Sequence, residues 1–131
     1  MKQFSVSLDV VTPGEVMPTF FEGLGIDSAN FSSRRLREGM LWRLESDLSE
    51  DEDASIQEQV DSIFALVAPD KIRGNGIRAY ISIAVYYDTA TCSVEIPPTC
   101  ISMLQGSGIA IEVTCYPISE EEKGRSTTRA H

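Results

Sequence analysis

The chain is predicted to fold as an α+β domain, a two-layer sandwich in which a mainly antiparallel sheet of four or five strands carries two main helices on one face. Three observations predict it. Apolar and polar residues alternate over two long segments, the opening one and Ile77 to Tyr87, as they do in half-buried strands. Between them Ile56, Val60, Ile63 and Val67, with Phe64 nearby, recur at three- and four-residue spacing, which marks an amphipathic helix. The 131 residues, 42% of them hydrophobic, suit one core, since a chain near this size buries roughly two-thirds of its unfolded surface.

The opening strand places Phe4, Val6, Leu8 and Val10 on one side and Ser5, Ser7 and Asp9 on a wet side. Thr12-Pro13-Gly14-Glu15 then starts a helix, because a threonine cap with glutamate three residues on satisfies two orphan amides, and proline at the first helical position sacrifices no donor. That helix would bury Val16, Met17, Phe20, Phe21 and Leu24 and stop at Gly23 or Gly25. Ile26 to Glu38 reads as a polar connection holding Arg34, Arg35 and Arg37. After Gly39 comes a short strand with Met40, Trp42 and Leu44 on one face, Trp42 in the core.

The second helix begins around Ala54 with Asp53 as cap and ends before Pro69, leaving Glu45 to Glu52 largely on a loop. Gly74-Asn75-Gly76 is a turn into the long strand, where Ile77, Ala79, Ile81, Ile83, Val85 and Tyr87 face one way. Asp88 to Ile96 is ambiguous between loop and short strand. Pro97-Pro98-Thr99 opens a short helix carrying Ile101 and Leu104, Gly106-Ser107-Gly108 breaks it, and a last strand turns Ile109, Ile111, Val113 and Cys115 inward. The domain thus spans residues 1–118, and 119–131 form a polar tail expected to be disordered. The sheet's uncovered face would show Ser5, Ser7, Asp9, Arg78, Tyr80, Ser82, Ala84, Tyr86, Ala110, Glu112, Thr114 and Tyr116.

Charge narrows the function. Leu44 to Asp70 contains nine acids (Glu45, Asp47, Glu50, Asp51, Glu52, Asp53, Glu58, Asp61 and Asp70), no lysine and no arginine, and carries essentially the whole net charge of −9. A pI near 4.5 opposes phosphate binding, so nucleic acid is not an expected partner although Tyr80, Tyr86 and Tyr116 share the uncovered face. No apolar run nears the roughly 20 residues a membrane span needs, and Met1-Lys2-Gln3-Phe4-Ser5 alternates like a strand and unlike a secretory signal. A cytoplasmic protein with no membrane partner is expected.

No catalytic constellation stands out. The only histidine, His131, lies in the tail and cannot serve as base to a serine or cysteine nucleophile in the domain. The acids look solvated, without the pocket that would push paired carboxyl pKa values apart, and neither glycine-rich turn leads into a phosphate-binding helix. Asp47 and Glu50 to Asp53 lack the alternating ligands, central glycine and distal glutamate of a calcium loop. Cys92, Cys100 and Cys115 suit neither a disulfide framework nor a paired-cysteine zinc site, and read as reduced, mostly buried thiols. The protein is expected to be no enzyme and to need no cofactor or metal.

Several residues resemble the bacterial domain of unknown function 4279 family: the opening strand, Leu24-Gly25-Ile26 leaving the first helix, the arginines before Gly39, Trp42 with Glu45, the long strand, and a proline-led helix before the last strand. The resemblance covers residues 4–117. It transfers no catalytic residue, since the family has no established activity, and implies an immunity role because small families of this kind often sit beside toxin genes.

The acids of the window have two explanations. Anions in the first helical turn interact with the helix dipole for roughly 0.3–1 kcal/mol each, which covers Asp51, Glu52 and Asp53 but not Glu45 or Asp47 upstream, nor Glu58 and Asp61 on the outer face. Solubility or a dedicated partner surface must account for the rest. The leading expectation is an immunity protein that occludes a basic partner, a cognate toxin domain, through Asp47, Glu50, Asp51, Glu52, Asp53, Glu58 and Asp61. The alternative is a structural or regulatory module that associates through the exposed sheet face, with Tyr80, Tyr86 and Tyr116, or through a sheet edge.

Overall fold

A computed structural model describes residues 2–14, 18–72 and 77–118, and shows an α+β fold. In chain order come β1 (Lys2–Pro13), α1 (Thr19–Gly23), β2 (Ser32–Leu36), β3 (Gly39–Glu45), α2 (Ile56–Phe64), β4 (Arg78–Tyr87), α3 (Pro98–Leu104) and β5 (Ala110–Pro117). Single 3-10 turns occupy Ser28–Asn30 and Pro69–Lys71. The expected glycine turn at 74–76 and the polar tail at 119–131 lie outside the described residues.

The five strands form one sheet in the order β2-β3-β1-β4-β5. Neighbours run antiparallel except β4 and β5, which are parallel and joined through α3, so the sheet is mixed. A parallel pair needs a crossover connection, and α3 is part of it. The alternating residues Val6, Leu8 and Val10 of β1, Trp42 and Leu44 of β3, and Ile81, Ile83 and Val85 of β4 form one core. Phe21 of α1, Ile56, Val60 and Ile63 of α2, and Cys100 and Leu104 of α3 complete it. Phe21 is fully buried, stacked on Phe31 and edge-on to Trp42 with centroids 4.7 Å apart.

Several expectations are corrected. Thr12 caps no helix: β1 continues through it to Pro13, where the β3 ladder ends at Gly39, and tertiary pairing overrides the local capping pattern. Helix α1 starts only at Thr19, behind Pro18, and the expected helical positions Val16 and Met17 lie outside the described residues. Residues 32–36 are a strand, not a connection, with Arg34 opposite Leu41 and Arg35 opposite Met40 across a turn at Arg37-Glu38. The cap of α2 is Ser55 rather than Asp53: its hydroxyl accepts from Glu58 N, and the Glu58 carboxylate accepts from Ser55 N.

A further correction concerns β5, where Val113 is 41% exposed and Cys115 is also exposed instead of inward. Among the described residues this outermost strand has a neighbour on one side only, and the core takes in Ile109 just before it and part of Ile111.

Gln59 explains how α2 docks. Strand β3 ends opposite Ser7, so among the described residues the β1 backbone at Phe4 and Val6 has no strand on that side. The fully buried Gln59 side chain replaces it, accepting from Val6 N at 2.9 Å and donating to Phe4 O at 2.8 Å. Ser46 N donates to Val6 O as the chain leaves the sheet.

Candidate partner-binding groove

The register builds a groove on the face of the sheet opposite the core. Ser7 of β1 lies between Glu45 of β3 and Ser82 of β4, and Ser82 pairs with Glu112 of β5. The neighbouring row is Ser5, Ala84 and Thr114, and the one beyond is Gln3, Tyr86 and Tyr116. Short side chains at Ser5, Ser7, Ser82 and Ala84 leave a depression that the longer ones border. The outcome is an open groove of about 250 Å³, with Glu45, Ser49 and Glu50 on the β3 side, Glu112 and Thr114 on the β5 side, and Tyr86 and Tyr116 at one end.

At the other end Asp9 and Arg43 meet across β1 and β3. The Arg43 guanidinium donates from Nε and Nη2 to the two carboxylate oxygens, both at 2.9 Å. Ser7 and Ser82 hydroxyls donate to the same carboxylate at 2.9 Å, so Asp9, 6% exposed, is held by four hydrogen bonds. The side-chain hydrogen bond from Asp9 raises the Arg43 pKa above its ordinary value against the opposing effect of burial, and the nearby carboxylates add to it. Asp9 and Ser7 are therefore buried, a correction to the expectation of a wet strand face. Because Asp9 matches Arg43, the carboxylates of Glu45, Glu50 and Glu112 leave the groove net negative.

The aromatic end is a stack: Tyr86 and Tyr116 rings lie 5.3 Å apart at 19°. Tyr86 is 6% exposed and Tyr116 38%, so one ring braces the sheet and the other faces solvent.

The acidic loop reaches the groove because its root is fixed. Ser46 is buried, accepts from Leu48 N at 3.1 Å and lies 2.7 Å from the Ser62 hydroxyl of α2, which donates to Gln59 O. Turns close at Ser49 N to Ser46 O, Asp51 N to Leu48 O and Ala54 N to Asp51 O. This winding brings Ser49 and Glu50 beside the sheet.

Of the residues singled out from sequence, Glu50, Tyr86 and Tyr116 line the groove together, whereas Asp47, Asp51, Glu52, Asp53, Glu58, Asp61 and Tyr80 do not. All seven acids are exposed. Three have structural work: Asp51 accepts from Asp53 N, Glu58 closes the capping box, and Asp61 accepts from Gln57 Nε2. Sequence reasoning passed over Arg43 and Glu45, whose place beside Asp9 and Ser7 depends on β3 pairing with β1 in this register, and Ser49, which the winding of the loop brings in. Period-two alternation did place Glu112 and Thr114 there.

Two further features are chemical. The Cys92 and Cys115 sulfurs lie 3.1 Å apart as free thiols, and of the three cysteines expected to be mostly buried only Cys100 is fully so, Cys92 being half-buried and Cys115 exposed. Among the described residues no three histidine, cysteine or acidic side chains gather to hold a metal ion, and no helix is long and apolar enough to cross a membrane. In comparison with known proteins, no family model, no curated protein and no solved structure matches the chain.

Proposed function

We propose that this protein is a binding domain that receives a basic protein partner, and that its role is that of an immunity protein occluding a cognate toxin domain. One observation carries the reading: Glu50 of the acidic loop and the Tyr86–Tyr116 stack line a single groove, joined by Glu45 and Glu112. A lysine or arginine of the partner fits such a site, with carboxylates on both flanks, hydroxyls along the floor to accept hydrogen bonds, and an aromatic ring for cation–π contact worth roughly 0.5–1 kcal/mol at an exposed position. The exposed acids of the loop and of α2 add long-range steering, which speeds encounter by roughly 10 to 1,000 fold at low salt.

Co-expression with the product of the adjacent gene tests this. A complex that survives size exclusion, with affinity at least about tenfold weaker for Glu45→Gln/Glu50→Gln/Glu112→Gln, is expected; no protection from a neighbouring toxin and no complex would sink it. The second reading, a module that associates with a further strand, is favoured by one observation: β5 is an outermost strand that exposes Val113 and Tyr116. Under it, Val113→Lys would disrupt association while the triple glutamine variant would not.

A further inference from the structure

We propose that Cys92 and Cys115 are a modification site, a thiol pair that closes reversibly to a disulfide when it meets a low-molecular-weight disulfide such as oxidised glutathione. The two sulfurs belong to different elements, Cys92 to the irregular segment between β4 and α3 and Cys115 to β5, yet the fold holds them at 3.1 Å. A disulfide bond is about 2.05 Å long, so closure asks for an approach of about 1 Å. Cys115 is exposed on an outermost strand and meets the oxidant first, while Cys92 is half-buried beside it. The Lys2 ammonium donates to the carbonyl of Ser93, which keeps a positive charge next to Cys92, the smallest of the influences on its thiol and the one that lowers its pKa. Before closure the hydrogen bond with Cys115 holds the Cys92 thiol protonated, its pKa raised.

The exchange balances. The Cys115 thiolate attacks one sulfur of oxidised glutathione and displaces glutathione thiolate, leaving a mixed disulfide. The Cys92 thiol gives its proton to solvent and attacks the Cys115 sulfur, expelling a second glutathione thiolate, and both glutathione thiolates take up protons from solvent. Two protein thiols are oxidised to one disulfide and one glutathione disulfide is reduced to two glutathiones. Cys100 has no part: it is fully buried in the core, and desolvation pushes its thiol pKa up. The bond would fasten the segment carrying Cys92 to β5, whose alternate residues Thr114 and Tyr116 line the groove.

The test is to incubate the full chain with oxidised glutathione, quench in acid, alkylate under denaturing conditions and map peptides by mass. The expected product has lost two hydrogens, carries one alkyl group on Cys100, links the Cys92 and Cys115 peptides and returns to three alkylated cysteines after dithiothreitol. Cys92→Ser is expected to stop at a stable glutathione adduct on Cys115. Wild-type protein that keeps three free thiols, that carries separate glutathione adducts on Cys92 and Cys115, or that links either residue to Cys100 would overturn the proposal.

Discussion

Arg43→Met is expected to destabilise the fold by about 1–3 kcal/mol, read from urea unfolding midpoints, because it leaves the Asp9 carboxylate buried with hydroxyl donors alone. Breaking a fully buried pair costs more, roughly 3–5 kcal/mol, but Arg43 is 40% exposed and water screens part of the interaction. Asp9→Asn should cost less, since the released guanidinium turns to solvent, and a double-mutant cycle should return a coupling between the two. Cys100 gives a pH dependence whose sign is fixed. Its folded pKa lies above the ordinary value of 9.0, so the unfolded chain loses that proton first. The contribution is whole below the unfolded pKa and shrinks as pH rises through the folded one. Cys100→Ala is expected to reduce the loss of stability between about pH 8 and about pH 10, measured by chemical unfolding at each pH.

Gln59 and Ser55 decide whether α2 docks and where it begins. Gln59→Leu preserves bulk but leaves an amide and a carbonyl of β1 unpaired inside the protein, and should cost about 2–4 kcal/mol in thermal or urea unfolding. Ser55→Ala removes a cap and should cost about 1 kcal/mol. Much of this element scale is legible in the sequence. The alternation of β1 and β4 and the spacing of α2 locate them closely, because each has one buried face and the period reports it. The misses have physical causes. Thr12 to Glu15 satisfies every local rule for a helix start, yet the β3 ladder claims Thr12 and Pro13 as strand. Strand β2 reads as loop because Ser32–Leu36 is a largely exposed edge with hardly any apolar period. Ser55 and Glu58 do form a capping box in the sequence, but the run of acids beside them draws the cap two residues too early. Of the site, the aromatic and Glu112 side follows from alternation along single strands; alternation in β3 also turns Arg43 and Glu45 away from Trp42 and Leu44, but their meeting with Asp9 and Ser7 depends on register between strands, and Ser49 on the winding of the loop.

At the scale of the molecule, a net charge of −9 separates the two readings of its association by sign. Binding to a basic partner should weaken as salt is raised, because ions screen the attraction over a Debye length of about 10 Å at 0.1 M. Self-association through β5 would instead strengthen, since the same ions screen repulsion between like-charged copies. Calorimetric titration with the partner and sedimentation of the protein alone, each across a salt series, read the two slopes. The sheet order has a different consequence, one of timing. Of the five strands β1 is made first and lies in the middle of the finished sheet, but its neighbours β3 and β4 end only at Glu45 and Tyr87. Throughout that interval Val6, Leu8 and Val10 have no completed core to enter, and one whole edge of the strand stays open until the second neighbour is made. A nascent chain stalled short of β4 therefore presents an apolar strand with an open edge, a form prone to pair with another such chain in a way the completed sheet is not.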